Sequence, residues 1–263
     1  MHGGQAVSVS VVIPTHNRAG TLGRAIVSAA MQNPVEVLVI DDASTDDTVG
    51  IVEQLRGIYP CIRYVRHAAK ADDWQEAAAS LYPSLGGTHV IMMGADDTLA
   101  AGVVDSVCRH EDAAVVFHDY NVADASSTLI GAVTQGYDCC AGTRLTPKEM
   151  RHRLREMPNA TETGIGSGIR LDCLLWLNSL EWWRMGPWSD AIGYAAVGVR
   201  HGAVYVAGSG AMFTVDDGGY GQQHRTGPRA AEYHVAVREF LAKAGIPFSV
   251  AAAICTKRGV PYG

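Results

Sequence analysis

Five short, almost unbroken apolar runs alternate with stretches of helical spacing across the first 120 residues, and this alternation leaves few folds open. VSVSVVIP (7–14), VEVLVI (35–40), CIRYVRH (61–67), THVIMM (88–93) and AAVVFHD (113–119) favour β-branched residues and are too short for buried helices, so they read as strands. RAGTLGRAIVSAAMQ (18–32) puts Leu22, Ile26 and Ala29 on one helical stripe. STDDTVGIVEQLRGI (44–58) reads as a helix capped by Ser44 or Thr45, with acids in its first turn. A third helix is expected within 71–85, ended by Pro83, and a fourth within 99–111. Strands that are apolar on both faces need cover on both faces. The expected class is therefore α/β, with a Rossmann-like, mostly parallel central sheet flanked by helices.

Ligands of such sheets sit outside the carboxyl ends of the strands. Those ends carry Pro14, Thr15, His16 and Asn17, then Asp41 and Asp42, then His67 with Lys70 close behind, then Asp96 and Asp97 after HVIMMG. Neighbouring carboxylates repel unless a cation or hydrogen bonds compensate them. Their hard oxygens suit Mg²⁺ or Mn²⁺, and such an ion can bridge to phosphate. A carboxylate at Asp41 or Asp42 can instead accept from a base N–H or a ribose hydroxyl. Each pair also reads as an ordinary helix cap after a strand.

The second half is less regular. A helix is expected near 147–156, one amphipathic helix over IRLDCLLWLNSLEWW (169–183), another over 189–202, a strand at AVYVAG (203–208) and a helix over 230–245. With 263 residues, 48% of them hydrophobic, and no Pro/Ser-rich linker, one domain over 1–263 is expected. Residues 1–120 would form its regular strand–helix half, and 121–263 a second lobe with C-terminal helices. A net charge of −6 without a basic block argues against nucleic acid as partner. No run approaches the 18 apolar residues of a membrane span, and MHGGQAVS is not a targeting segment, so no integral membrane segment is expected. The six cysteines lack CxxC spacing and read as free thiols in a reducing cytoplasm. GIGSGI (164–169) is not a dinucleotide fingerprint, and P-loop, GxSxG and HExxH patterns are absent.

VSVVIPTHNRAGTLGRAIVSAAMQ, VEVLVIDDASTDDTVGIVEQ and VIMMGADDTLAAGVVD resemble, in order, the opening motifs of a family 2 glycosyltransferase. The resemblance covers roughly residues 8–110 and implies a GT-A, nucleotide-diphospho-sugar transferase fold, with 1–120 as its nucleotide-sugar half and 121–263 as its acceptor-side lobe. It implies that Asp42 reads the edge of a pyrimidine base, with Asp41 beside it. Asp96 would approach ribose or the metal shell, and Asp97 would bind the metal. ADDW (71–74) resembles the segment where many members carry Asn-Trp before a helix. The chain departs from the commoner pattern at Gly94, where an aspartate is usual. Farther on, Gly166-Ser167 resemble the family's small-residue GS stretch. Ser189-Asp190 occupy its acid-pair region, with Ser189 departing and Asp190 retained as the candidate catalytic base; Asp190 also reads as a helix cap. Trp182, Trp183 and Trp188 lie around it in sequence, fitting either an acceptor wall or core packing.

These matches imply a metal-dependent, inverting glycosyltransferase that moves a sugar from a UDP- or dTDP-linked donor to a hydroxyl of a small-molecule or glycan acceptor. Pro14, Thr15, Asn17, Asp41, Asp42, Lys70 and Asp96 would face the nucleotide, with Lys70 or Arg225 offsetting phosphate charge. Two alternatives stay open from the residues alone. One is a nucleotidyltransferase, disfavoured by the single arginine in THNRAG. The other is a non-catalytic nucleotide-sugar or glycan-binding module.

Overall fold

Alternate residues of the central strands enter two different cores, as strands covered on both faces must. Val12, Leu38, Ile40 and Val90 pack into one, whereas Val11, Ile13, Val37, Val39 and Ile91 pack into the other. The computed structural model describes residues 7–71, 74–134, 142–156, 164–215 and 228–261. Its first half runs β1 (Val9–Thr15), α1 (Ala19–Ala30), β2 (Glu36–Asp41), α2 (Thr48–Arg56), β3 (Ile62–Arg66), α3 (Trp74–Ala79), a 3-10 turn (Tyr82–Ser84), β4 (His89–Met92), β5 (Thr98–Leu99) and α4 (Val103–Cys108). The second half runs β6 (Val115–Ala123), β7 (Leu129–Val133), β8 (Thr143–Leu145), α5 (Pro147–Glu156), β9 (Gly168–Arg170), α6 (Leu171–Ser179), a 3-10 segment (Trp182–Trp188), α7 (Ser189–His201), β10 (Ala203–Thr214), α8 (Ala230–Lys243) and α9 (Phe248–Lys257).

The sheet order is β3-β2-β1-β4-β9-β6-β10-β5, with β7 paired to β6 and β8 to β10. β3, β2, β1 and β4 are mutually parallel, so Thr15, Asp41 and the turn after Met92 leave the sheet on one edge. β9 enters antiparallel between β4 and β6, and β6 and β10 run parallel beyond it. The result is a mixed sheet whose first half is wholly parallel. α1, α2 and α4 cover one face through Leu22, Ile26, Val52 and Val107. α3 and the helices of the second half cover the other through Ala78, Leu154, Leu174, Ile192, Phe240 and Val250. Among the described residues, no helix is long and apolar enough to cross a membrane.

Several boundaries differ from the sequence reading. Ser44 and Thr45 do not cap α2; the Asp46 carboxylate takes the Thr48 N–H at 3.1 Å, while Ser44 Oγ turns to the loop after β1. The expected 169–183 helix is broken: Gly168–Arg170 pairs into the sheet as β9, α6 ends at Ser179, and a 3-10 segment follows. Gly168 must lack a side chain because a Cβ there would meet Val107 at 2.6 Å. β10 extends to Thr214, beyond the expected 203–208, and α9 was not foreseen. Cys61, Cys108, Cys173 and Cys255 are free thiols, whereas Cys139 and Cys140 lie outside the described residues.

His118 on β6 carries a pH dependence for the fold. It is 3% exposed, with Nε2 at 2.9 Å from Ser106 Oγ. Burial pushes its pKa from 6.5 down to about 4; His110 and Arg109 push the same way, while Asp119 and the Gly166 backbone oppose. Because the folded value is depressed, the stability held by neutral His118 is fully present above the unfolded pKa. It is lost as pH falls through the folded one. At ~1.4 kcal/mol per pKa unit, on the order of 3 kcal/mol should vanish across that window. Urea midpoints of wild type are expected to fall between pH 6.5 and 4 more steeply than those of His118→Gln. Parallel profiles would exclude this source.

Candidate functional site

The exit of β2 separates two adjacent acids into different tasks. Asp41 is fully buried: its Oδ1 accepts the Ser44 N–H at 2.8 Å, and its Oδ2 accepts the Tyr64 hydroxyl at 2.6 Å and meets Arg66 Nε at 3.3 Å. Its valences are spent inside the protein, and burial together with this hydrogen bond drives the Tyr64 phenol far up. Asp42 faces the other way. It is 6% exposed; its Oδ1 accepts the Ala71 N–H at 2.8 Å and lies 3.3 Å from His67 Nδ1, while no described residue bonds its Oδ2. Between them and the following loop, Ala43 is held at φ +55°, a left-handed conformation that costs a β-carbon residue about 1–2 kcal/mol. The structure thus spends energy to hold this corner.

Asn17 is a latch between two strand exits. Its φ is +51°, a region asparagine tolerates well. Its N–H donates to Ser44 Oγ at 2.9 Å, and its Oδ1 accepts the Thr45 N–H at 2.7 Å. The His16 ring donates from Nδ1 to the Asp42 carbonyl at 2.7 Å. The loop after β1 is therefore pinned to the loop after β2. Thr15 is 5% exposed, and its Oγ1 has no hydrogen-bond partner among the described residues. Pro14 is half-buried in β1, opposite Ile40, and Lys70 is exposed.

Asp96 and Asp97 also diverge. Asp97 Oδ1 accepts the Thr214 N–H at 2.9 Å, and its Oδ2 accepts the Gly94 N–H at 3.1 Å. It ties the turn after β4 to the end of β10. Burial raises its carboxyl to about 7 against the pull of the Thr214 amide, and the Asp96 charge adds to the rise. Asp96 keeps its side chain 21% exposed, 3.9 Å from the Arg18 guanidinium. Its carbonyl accepts from Arg24 at 2.8 Å and from Thr214 Oγ1 at 2.7 Å, and Arg24 also reaches Ser127 Oγ. Both carboxylates fold back over Gly94: a Cβ there would lie 2.8 Å from Asp96 Oδ1 and 2.9 Å from Asp97 Oδ2. The glycine standing where the family pattern has an acid is thus what lets the pair close on the backbone. Among the described residues, no three His, Cys, Asp or Glu side chains gather. As a fit for a hard cation, Asp96 is available and Asp97 is already used by two amides.

Asp190 lies in the first turn of α7, half-buried, with the Gly164 N–H 3.4 Å from its Oδ2. The strand exits and this residue share β10 as a support. Gly166 packs on Gly210 and Ala211 of β10, three residues before Thr214, which holds Asp97. That spacing is about 10 Å along the strand. Gln75 of α3 donates to Ser189 Oγ at 3.0 Å and fixes the start of α7.

The tryptophans separate. Trp182 and Trp188 are core residues, 3% and 5% exposed; Trp188 Nε1 donates to the Arg258 carbonyl at 3.1 Å. They are not an acceptor wall, because packing between α7 and α8 consumes them. Trp183 is half-buried and lines a cavity of about 330 Å³ with Glu76, Arg184, Arg229 and Tyr233. Arg225, Asp72 and Asp73 lie outside the described residues. Arg18, Arg24 and Gln75 escaped the sequence reading, since helical or loop arginines and glutamines carry no spacing signal of their own.

The glycosyl transferase family 2 model matches residues 10–121. No curated protein matches the chain. Among solved structures, S. aureus TarS 1-349 superposes with a TM-score of 0.67 at 13% identity, covering 95% of this chain and 71% of that one. Its complex with UDP-GlcNAc gives 0.69 at 14%, covering 95% and 72%. The mannosyltransferase PcManGT from Pyrobaculum calidifontis, in complex with GDP-Man and Mn²⁺, gives 0.59 at 17%, covering 97% and 70%.

Proposed function

We propose that the protein is an inverting glycosyltransferase using a nucleotide-diphospho-sugar donor, a reading that starts from the match of residues 10–121 to the glycosyl transferase family 2 model and from the GT-A-like fold. The observation that carries the reading is the division of labour at the strand exits. Within each acid pair one carboxylate has both oxygens bonded within the fold, Asp41 and Asp97, while its neighbour either keeps one oxygen that no described residue bonds, Asp42, or stays part-exposed, Asp96. A pair kept only for capping would not need the second acid. Complexes of TarS with UDP-GlcNAc and of PcManGT with GDP-Man support a nucleotide-linked sugar as donor.

In this reading Asp42 accepts from the base, and Thr15 Oγ1 offers a donor to the nucleoside. Lys70 and Arg18 balance diphosphate charge. Asp190 takes the proton of the acceptor hydroxyl as that oxygen attacks the anomeric carbon from the side opposite the leaving diphosphate, which inverts the configuration. The Trp183 cavity, with its mixed charges, suits a hydroxyl-rich acceptor. Asp96 fits as the protein ligand of Mg²⁺ or Mn²⁺, an arrangement of one carboxylate completed by donor phosphates. Such an ion would offset charge on the departing diphosphate.

Calorimetric titration with UDP, dTDP and GDP, with Mn²⁺ or with chelator, tests the reading. One nucleotide should bind, more weakly in chelator. Asp42→Ala should lower that affinity about tenfold or more, equivalent to ~1.4 kcal/mol. A folded Asp42→Ala protein that binds as wild type does would refute the nucleotide assignment.

A further inference from the structure

We propose that Tyr194 is a positioning residue for Asp190, its hydroxyl donating toward the Asp190 carboxylate, directly or across one water, in the space that Gly164 leaves open. This rests on the reading of Asp190 as the base. Tyr194 stands one helical turn after Asp190 on α7, at the i+4 spacing that brings side chains together. It is fully buried, yet its hydroxyl has no hydrogen-bond partner among the described residues. A buried donor left unmade is costly, and such groups usually mark a functional partner or an ordered water. Gly164 supplies the juxtaposition. A Cβ on it would lie 3.4 Å from Tyr194 Cζ, 3.5 Å from Asp190 Oδ2 and 3.2 Å from Asp190 Cβ. The phenol end and the carboxylate therefore flank one point, and the absence of a side chain keeps that point clear. The Gly164 N–H already approaches Oδ2 at 3.4 Å, so a second donor from Tyr194 would fix the carboxylate from two directions.

The titratable groups that bear on the Tyr194 hydroxyl are Asp190 on its own helix and Tyr82 from the turn after α3. Burial, then the Asp190 charge, drive the phenol far above its ordinary value, so it stays a donor wherever Asp190 is ionised. A donor to a carboxylate stabilises the charged form and lowers its pKa.

The test is the titration of the Asp190 side-chain carboxyl carbon by NMR on protein labelled with ¹³C-aspartate, the signal assigned by its loss in Asp190→Asn. Tyr194→Phe removes one oxygen and breaks no hydrogen bond to another described residue. It should move the pH midpoint of that signal upward, because a donor to the charged form is lost. Gly164→Ala, which fills the shared space, should move it the same way. An Asp190 titration unchanged in both variants would overturn the proposal. So would a Tyr194→Phe protein whose only change is a higher Tm, the result expected if the phenol merely fills the core. The readout needs no sugar donor. If Asp190→Asn keeps full transferase activity, the base assignment fails separately, while the pKa shift still reports whether Tyr194 acts on Asp190.

Discussion

Asp190→Asn is expected to bind the nucleotide as wild type does and to lose about 10²–10⁴-fold in kcat. The amide is nearly the same shape and can still accept the Gly164 N–H that reaches Asp190 Oδ2. What it cannot do is accept a proton at neutral pH. Losing a charge in the first turn of α7 costs at most about 1 kcal/mol of helix-dipole stabilisation, so the fold should survive. Donor affinity, read by calorimetry, and transfer, read as nucleoside diphosphate release with an acceptor present, separate binding from chemistry. Because the attacking hydroxyl must give up its proton, poorly acidic alcohols should suffer most. A folded Asp190→Asn protein with near-wild-type transfer would remove the residue from the mechanism. It would also revive the non-catalytic binding module that Ser189 and Gly94 leave open.

The parallel half of the fold was legible because its strands announce themselves twice, by β-branched apolar runs and by polar residues at their ends, acids at two of them. Position at a strand exit follows from sequence, but partners do not. Asp41 and Asp42 are told apart in VIDDAS only by the family resemblance, whereas pleating sends one against Tyr64 and Arg66 and the other toward His67. Asn17 carries its meaning in a positive φ and in two bonds to a loop some 28 residues away, neither of which a spacing rule records. β9 was invisible for a different reason. A three-residue strand beginning with Gly168 has no periodicity, and its pairing with β4 and β6 is fixed only when α4 packs over it. Trp182 and Trp188 misled because aromatic clustering fits both a sugar wall and a core, and only burial decides between them.

Gly166→Ala should be among the most damaging small substitutions in the chain, because the glycine serves both the fold and the site. Its φ is +61°, where a β-carbon costs about 1–2 kcal/mol. A Cβ would also stand 2.7 Å from the Gly210 carbonyl carbon and 2.9 Å from the Ala211 nitrogen, and backbone cannot rotate away as a side chain can. Overpacking of this kind adds roughly 1–3 kcal/mol. The sum, about 2–5 kcal/mol, is a large part of the total stability of a typical domain. Gly102→Ala separates the two causes: its φ is +83°, but nothing lies within 4 Å of the new carbon, so only the conformational cost of about 1–2 kcal/mol should appear. Urea midpoints of the two variants give the difference. The functional consequence follows from connectivity. The loop that Gly166 seats on β10 includes Gly164, which touches Asp190, and β10 ends at Thr214, which holds Asp97. Pushing that loop off the strand should displace the base relative to the strand exits. Gly166→Ala protein that remains folded at low temperature should then lose kcat while keeping nucleotide affinity, since Asp42 and Asn17 are held by bonds that do not pass through β10. Equal stability of Gly166→Ala and Gly102→Ala would show that the loop yields freely and that Gly166 does not fix the site.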